Sequence, residues 1–392
     1  MRIETMHEGA GNIFGTYDEI IQFSQIFFGA YALFACYLLF RRFNGGLAEV
    51  GSKRFEWTML SLAMWCFTGL CIDVWAHKHL NLEETFFTPW HAVWYSGFAA
   101  YSSYIVFVLW GLNDGGIPKS ISAVKEFFSS MPKGYSVGVV GMILFIVSGF
   151  GDMLWHTFLG IEGGTDILLS PTHLGLAGGL ILSLLVPVMA AWHQPERVKT
   201  LGDQLPVIVG LSGAWGVITV FTSYSHHLSL PYNQMCEGCG NAVNSGLQTG
   251  IVAVLLQAII LSGFIHYFMK KFKPVPGTFT TMFLVHTIVI IACAPGKLGE
   301  AWKHALTPIL SGIALDILYA LFSNRNRIFA FIIGAIPVSI WLVTIATIGG
   351  KGLDLMGWSV HATAGVIFIA GSGALLISFL TDEVSSNQLE TE

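Results

Sequence analysis

Residues 149–179 form two apolar segments joined by a short polar turn, and they read GFGDMLWHTFLGIEGGTDILLSPTHLGLAGG. An Asp is followed by a His four residues later, by a Glu six residues after that His, and by Ser-Pro-x-His where the second segment opens. The same order recurs in residues 69–97, GLCIDVWAHKHLNLEETFFTPWHAVWYSG, with Thr in place of Ser. The matching residues are Asp73, His77, Glu83, Pro89 and His91, and Asp152, His156, Glu162, Pro171 and His173. The repeat predicts two helix hairpins with one arrangement of polar side chains.

The spacing within each copy predicts that these polar side chains converge. Residues four apart share one face of an α-helix, so each Asp and the His after it project together near the end of the first helix. Proline is sterically favoured in the first turn of a helix, which lets the second His point from the start of the return helix. Two adjacent helix ends can therefore offer two imidazoles and a carboxylate to one point.

Apolar stretches long enough to cross roughly 30 Å of hydrocarbon as helices surround these hairpins. Eleven such stretches fall near residues 18–40, 56–76, 90–112, 134–158, 172–192, 204–225, 244–268, 277–294, 303–322, 327–348 and 358–381. Only 11% of the residues are charged, against about 25% in soluble domains, so lipid is the expected solvent. The sequence predicts an all-α integral membrane protein of about eleven transmembrane helices in a lipid bilayer. It contains no basic block, which excludes nucleic acid as a partner.

The distribution of Lys and Arg predicts the orientation, because cytoplasmic loops carry an excess of both. Fourteen of these residues fall in alternate loops on one side, and five fall on the other. This places the N-terminus outside and the C-terminus inside, in a cell or plasma membrane, with the repeated motifs on the extracytoplasmic side. We expect one polytopic domain over residues 1–392. Its parts are a polar outer N-terminus (1–17), metal-motif hairpins (56–112 and 134–192), further hairpins (204–268, 277–322 and 327–381) and a cytoplasmic tail (382–392).

Ten of the thirteen histidines fall at or near the predicted outer face, which their charge does not explain because His is mostly neutral at pH 7. One interpretation is that each Asp only bonds its own His and fastens the hairpin. Because the whole pattern occurs twice on one face, we favour metal binding or catalysis. The predicted ligands are Asp73, His77, His91, Asp152, His156 and His173. Less strongly indicated are His226, His227, His304 and His361, the first two lying before a Cys236/Cys239 pair that could instead form a disulfide.

Histidine and carboxylate ligands suit copper, zinc or non-haem iron, and the spacing does not choose among them. Glu83, Glu84 and Glu162 lie between the ligands of each hairpin, and we expect them to move protons or complete the ligation. These three are the candidate catalytic residues.

The two hairpins resemble the metal-binding stretch of the C subunit of copper membrane monooxygenases, the particulate methane- and ammonia-oxidising enzymes. That motif is an Asp, a His four residues later, and a second His about twelve residues on in a Thr-Pro-Ser-His context. The matching positions are Asp73, His77 and His91, and again Asp152, His156 and His173. The intervals here are thirteen and sixteen residues, the motif is duplicated and the helices are more numerous. The resemblance implies copper and an oxidative reaction.

The leading hypothesis is a copper-dependent, monooxygenase-like membrane oxidoreductase acting on a small or apolar substrate, alone, as a homo-oligomer or within a larger membrane complex. A zinc-dependent lipid hydrolase would use the same ligands to hold a nucleophilic hydroxide. A quinol-linked electron carrier would use histidine pairs as haem ligands. A metal transporter or sensor, and a structural accessory subunit, are the remaining alternatives.

Overall fold

The computed structural model describes residues 16–44, 46, 48–80, 86–112, 120–160, 165–228, 230, 245–293, 301–324, 326–348 and 358–386. Across these residues the chain is helical and contains no β-strand, which confirms the predicted all-α class. The chain divides into two compact units, Met1–Ala190 and Ala191–Glu392.

Fourteen α-helices lie within the described residues. In the first half of the chain they are α1 (Tyr17–Phe43), α2 (Lys53–His79), α3 (Pro89–Leu112), α4 (Ile121–Ser130), α5 (Ser136–Leu159), α6 (Asp166–Leu169), α7 (Pro171–Leu184) and α8 (Val186–Trp192). In the second half they are α9 (Leu201–Phe221), α10 (Ser245–Lys271), α11 (Thr278–Cys293), α12 (Ala301–Phe322), α13 (Asn326–Ile348) and α14 (Val360–Ser386).

A helix, or a bent pair of helices, lies at each of the eleven predicted apolar stretches. Within the described part of the chain, eight are long and apolar enough to cross a membrane: α1, α2, α5, α9, α10, α12, α13 and α14. A ninth span is possible if α7 and α8 act together, and α11 is apolar but shorter. The chain is therefore an integral membrane protein by the length and composition of its helices, and the number eleven stays a prediction.

The predicted span 172–192 differs from the structure because it is broken. Helix α7 ends at Leu184, and α8 continues at an angle of 45°. Pro187 explains the break, since it has no N–H for the carbonyl four residues earlier and its ring crowds that turn. After the bend, the first residue of α8 still packs against α5, since a Cβ on Gly138 would lie 2.8 Å from Cγ2 of Val186.

In the first unit α2 packs against α3, and α5 packs against α7. Glycines allow both pairs to approach closely. A Cβ on Gly97 would lie 2.6 Å from the backbone N of Cys66, and one on Gly179 would lie 2.8 Å from the carbonyl O of Gly141. Gly97 and Gly179 occupy the same position, six residues after the second His of their motifs. The two hairpins also contact each other, α2 with α7 and α3 with α5.

In the second unit α9 packs against α11, and the helices from α11 to α14 pack in sequence, with α10 against α13 and α14. Polar side chains fasten the start of α11. The Asp316 carboxylate accepts hydrogen bonds from the backbone N–H of Phe279 (3.2 Å) and Thr280 (2.8 Å) and from the Thr280 hydroxyl (2.6 Å). The Thr278 hydroxyl donates to Gln204 (2.7 Å). Asp316 therefore joins α12 to the first turn of α11.

Candidate metal centre

Each repeated hairpin begins its return helix in the same way. The Thr88 hydroxyl accepts a hydrogen bond from the backbone N–H of His91 (3.1 Å), and the Ser170 hydroxyl accepts one from that of His173 (3.3 Å). These are N-caps, and a Pro occupies the first helical position after each of them. The Thr/Ser-Pro-x-His sequence is thus a capped helix start that places its His in the first turn.

Two groups of side chains bring three potential ligand atoms within 4.8 Å of one another. They are the first triad, Asp73, His77 and His91, and the second triad, Asp152, His156 and His173. In the first triad, Asp73 and His77 come from adjacent turns of α2, and His91 comes from α3. Helices α5 and α7 supply the second triad in the same order. The structure therefore assembles all six predicted ligands as the spacing predicted.

The imidazole Nε2 atoms of both triads face one carboxylate oxygen. In the first triad they lie 3.7 Å (His77) and 3.4 Å (His91) from Asp73 Oδ1. In the second they lie 3.5 Å (His156) and 3.2 Å (His173) from Asp152 Oδ1. Ligands about 2.0–2.2 Å from one ion would be roughly 3.3 Å apart in a tetrahedral arrangement. Three of the four distances exceed the usual 2.7–3.2 Å of a hydrogen bond and match this ligand separation better.

Backbone carbonyls set the orientation of three of the rings. His91 Nδ1 donates to the carbonyl O of Phe86 (2.8 Å), and His173 Nδ1 donates to that of Ile167 (2.6 Å). His156 Nδ1 lies 3.3 Å from the carbonyl O of Gly160. A proton on Nδ1 makes Nε2 the ring atom that could coordinate a cation beside the carboxylate, and this is the usual outer-shell arrangement of a metal-binding imidazole.

Asp73 gives a direct test of whether the site suits a cation. Its side chain is buried, and its Oδ1 accepts no hydrogen bond from the described residues. The Nε2 atoms of His77 and His91 face this oxygen from beyond the usual hydrogen-bond distance, and a buried carboxylate without a close donor is costly. A metal ion held by His77 and His91 would neutralise this oxygen. The first triad therefore combines a nitrogen and oxygen donor set with a buried carboxylate, which suits a cation.

The second triad differs at its carboxylate. The Thr172 hydroxyl donates a hydrogen bond of 2.8 Å to Asp152 Oδ1. The corresponding position in the first hairpin, between Pro89 and His91, is Trp90, which has no hydroxyl. The same backbone design therefore holds two carboxylates with different hydrogen-bond partners.

Aromatic rings surround the first triad. The ring centroid of His91 lies 5.9 Å from that of Phe86, 6.3 Å from Trp94 and 6.1 Å from Tyr95. At the positions of Trp94 and Tyr95, three and four residues after the second His, the other hairpin has Leu176 and Ala177. The first triad thus has an apolar, aromatic wall that limits access of water.

The two triads lie close enough to interact electrostatically. The charge of Asp152 acts on His91 of the first triad, and His173 of the second triad acts on Asp73. Tyr95 is close enough to Asp73 and Asp152 to interact electrostatically with both carboxylates. It also packs against α5, where a Cβ on Gly149 would be 3.8 Å from the Tyr95 ring. The triads are therefore neighbours within the first unit.

Among the other candidates, His226, His227 and His361 have described side chains, and none of these three belongs to either group. Glu83, Glu84 and Glu162 lie outside the described residues, as do Cys236 and Cys239. His304 is in α12, where only the backbone is described, and His361 is exposed on α14. His226 and His227 are buried in the second unit with their rings stacked (centroids 4.6 Å apart), and His226 Nδ1 accepts a hydrogen bond from the N–H of Leu228.

Sequence reasoning missed Thr172 and the carbonyls of Phe86, Ile167 and Gly160. The Thr172 hydroxyl bonds a residue twenty positions away, and no spacing rule points to that pair. The carbonyls belong to the backbone, so the identity of Phe86, Ile167 or Gly160 does not indicate their role. Only the position of Thr172, directly before the second His in a helix start, could have suggested it.

Comparisons of the chain with known protein families, with curated proteins and with solved structures give no match.

Proposed function

We propose that this chain is a membrane metalloprotein in which each triad binds one transition-metal ion, copper first, and that it oxidises a small or apolar substrate. One observation carries the metal binding: three donor atoms converge twice, in equivalent places, at separations suited to ligands of a common ion. A site of nitrogen and oxygen ligands generally binds divalent copper more tightly than iron or zinc, so copper is the ion that it would retain best where copper is present. The resemblance to copper membrane monooxygenases supports the same choice.

The residues of each triad would divide the work of binding. Two imidazoles would donate Nε2 lone pairs, and the Asp carboxylate would offset part of the charge of the ion. The carbonyls of Phe86 and Ile167 would hold the rings of His91 and His173 in the required tautomer. A bound copper ion would supply one-electron redox chemistry.

The surroundings support an apolar substrate. Phe86, Trp94 and Tyr95 would contact a hydrocarbon group beside the first triad and keep water away from it. We assign proton movement to Glu83, Glu84 and Glu162 because each lies between the candidate ligands of its hairpin in the sequence. The Lys and Arg distribution supports an extracytoplasmic position for both triads.

A zinc hydrolase is the second candidate, because two histidines and one carboxylate also form catalytic zinc sites. The two functions differ in their metal and in its spectrum. Divalent copper gives an electron paramagnetic resonance signal and weak visible absorption, whereas zinc gives neither. A haem protein would instead show a Soret band.

The test is the metal content of the full chain, purified in mild detergent and loaded separately with copper and with zinc. The variants are His91→Ala and His173→Ala, which remove one ligand from each triad. The matched control is His193→Ala, which removes an exposed imidazole remote in sequence from both motifs. We expect two copper ions per chain in the wild type and in the control, and one in each triad variant.

If the wild-type protein retained neither copper nor zinc, the metalloprotein proposal would be wrong. The triads would then only stabilise the hairpins through hydrogen bonds. Tight zinc binding with no copper signal would overturn the oxidoreductase and favour the hydrolase. If the His193→Ala control lost as many metal ions as the triad variants do, the ions would not be bound by the triads.

A further inference from the structure

A basic cavity lies in the second unit, separate from both triads. Its volume is about 380 Å³, and it is formed where α10, α12, α13 and α14 come together. The lining includes Lys270, Lys273, Arg327, His266, Tyr319 and Ser378. The residues argued above for the function are not among them, so the metal sites do not explain this cavity.

The cavity lies at one end of the membrane-spanning segments. The apolar part of α10 ends at Lys271, that of α14 ends at Thr381, and that of α13 begins at Asn326. All three residues line the cavity. Since these positions mark where hydrocarbon gives way to polar surroundings, the cavity is at the depth of the lipid headgroups.

Positive charge dominates the described part of the cavity wall. Three lysines and one arginine line it, and none of the described lining residues is acidic. Arg327 is held in place, since its guanidinium donates to the Ser378 hydroxyl (3.0 Å) and lies 3.8 Å from the centre of the Phe379 ring. Lys271 lies over the Trp192 ring at 5.2 Å. Lys270 and Lys273 are exposed at the rim.

The rest of the wall combines polar side chains, among them Asn326 and Thr381, with apolar ones. Phe272, Pro274 and Ala330 are buried and line the cavity beside the charged groups. A loop that merely carries the excess of Lys and Arg expected of a cytoplasmic face would not need to form a cavity that also contains apolar side chains. A ligand with an anionic head and an apolar body fits both parts of this wall.

We propose that this cavity binds the phosphate of an anionic phospholipid headgroup. Lys270 and Lys273 donate to the phosphate oxygens, as basic pockets between transmembrane helices do, and Arg327 adds positive charge to the cavity wall. The glycerol and upper acyl chains lie against Phe272 and Pro274. A volume of about 380 Å³ is enough for a phosphoglycerol headgroup.

The test uses the full chain in neutral detergent, with bound lipid counted by native mass spectrometry. Dioleoyl phosphatidylglycerol is titrated against dioleoyl phosphatidylcholine. The variant is Lys270→Gln with Lys273→Gln, and the matched control is Lys125→Gln with Lys133→Gln. The control removes two exposed charges from the same predicted side of the membrane, where neither residue lines the cavity. Lys270→Arg with Lys273→Arg restores the charge.

We expect one preferred phosphatidylglycerol per chain. The Gln pair weakens its binding about 10- to 30-fold, as the loss of two surface cations predicts. The control pair and the Arg pair bind as the wild type does. Thermal unfolding in detergent checks that the Gln pair remains folded.

Three results would overturn the proposal. The Gln pair could bind phosphatidylglycerol as the wild type does, or the control pair could lose as much binding. Inorganic phosphate or glycerol 1-phosphate could displace the lipid at equal concentration, which would make the ligand a soluble phosphate.

Discussion

Replacing Thr172 with Val is predicted to weaken metal binding at the second triad alone. Val has nearly the same shape as Thr but cannot donate the 2.8 Å hydrogen bond to Asp152 Oδ1. That oxygen also faces the Nε2 atoms of His156 and His173, so it is the expected ligand atom. Without the hydroxyl, the carboxylate is free to turn away from the position that the two imidazoles share.

The size of the effect follows from the charge of the acceptor. A hydrogen bond to a charged group contributes about 1.5–3 kcal/mol, which corresponds to roughly a 10- to 150-fold change in an equilibrium constant. Loss of an outer-shell partner typically lowers metal affinity about 10- to 100-fold. We therefore expect the dissociation constant of the second triad to rise about 10- to 100-fold.

The assay measures one triad at a time. In a His91→Ala background only the second triad is complete, and competition with a chelator of known affinity gives its dissociation constant before and after Thr172→Val. In a His173→Ala background the first triad alone is complete, and Thr172→Val should leave its affinity unchanged. Thr287→Val is the matched control, since this buried hydroxyl donates to the Phe283 carbonyl in the second unit.

An unchanged affinity in the His91→Ala background would refute the role of the hydroxyl. A similar loss in both backgrounds would refute its assignment to one triad. A similar loss with Thr287→Val would show that the method reports general destabilisation.

Two further predictions concern the scaffold. Gly97→Leu should lower the stability of the first unit by about 1–3 kcal/mol, because its side chain would meet the backbone of Cys66; Gly29→Leu, which has open space around it, should leave the melting temperature in detergent unchanged. Asp316→Asn should destabilise the chain by about 1–3 kcal/mol, because the carboxylate accepts three hydrogen bonds at the start of α11. Its copper content should match the wild type, and a loss of copper without a loss of stability would contradict this structural role.

Much of the fold was predictable because few backbone structures are stable within the hydrocarbon of a membrane. A backbone in lipid must satisfy its own hydrogen bonds, so long apolar stretches become helices, and each of the eleven stretches does contain one. The break after Leu184 was missed because an apolar run reads as one helix even where Pro187 interrupts it. The ten-residue helix α4 was also missed, since it lies between predicted spans and is too short for a hydropathy signal.

The two Asp/His/His groups were predictable for a different reason. The four-residue step from Asp73 to His77 and the Pro before His91 both act through local backbone geometry, which sequence spacing reports directly. The hydrogen bond from Thr172 to Asp152 and the closeness of the two triads depend on how separate helices pack. Spacing along the chain does not report such contacts.

The contrast between the two hairpins shows which features the triad geometry requires. Both keep the helix-start cap, the Pro and the backbone carbonyl that accepts from the second His, so the ligand positions come from local backbone structure. Side chains around the ligands are not needed for that geometry, and they differ: Tyr95 corresponds to Ala177, and Trp90 to Thr172. Because the local backbone fixes the ligands, the surroundings of each triad can change without loss of the donor set. The two sites are therefore built alike but need not bind or react alike.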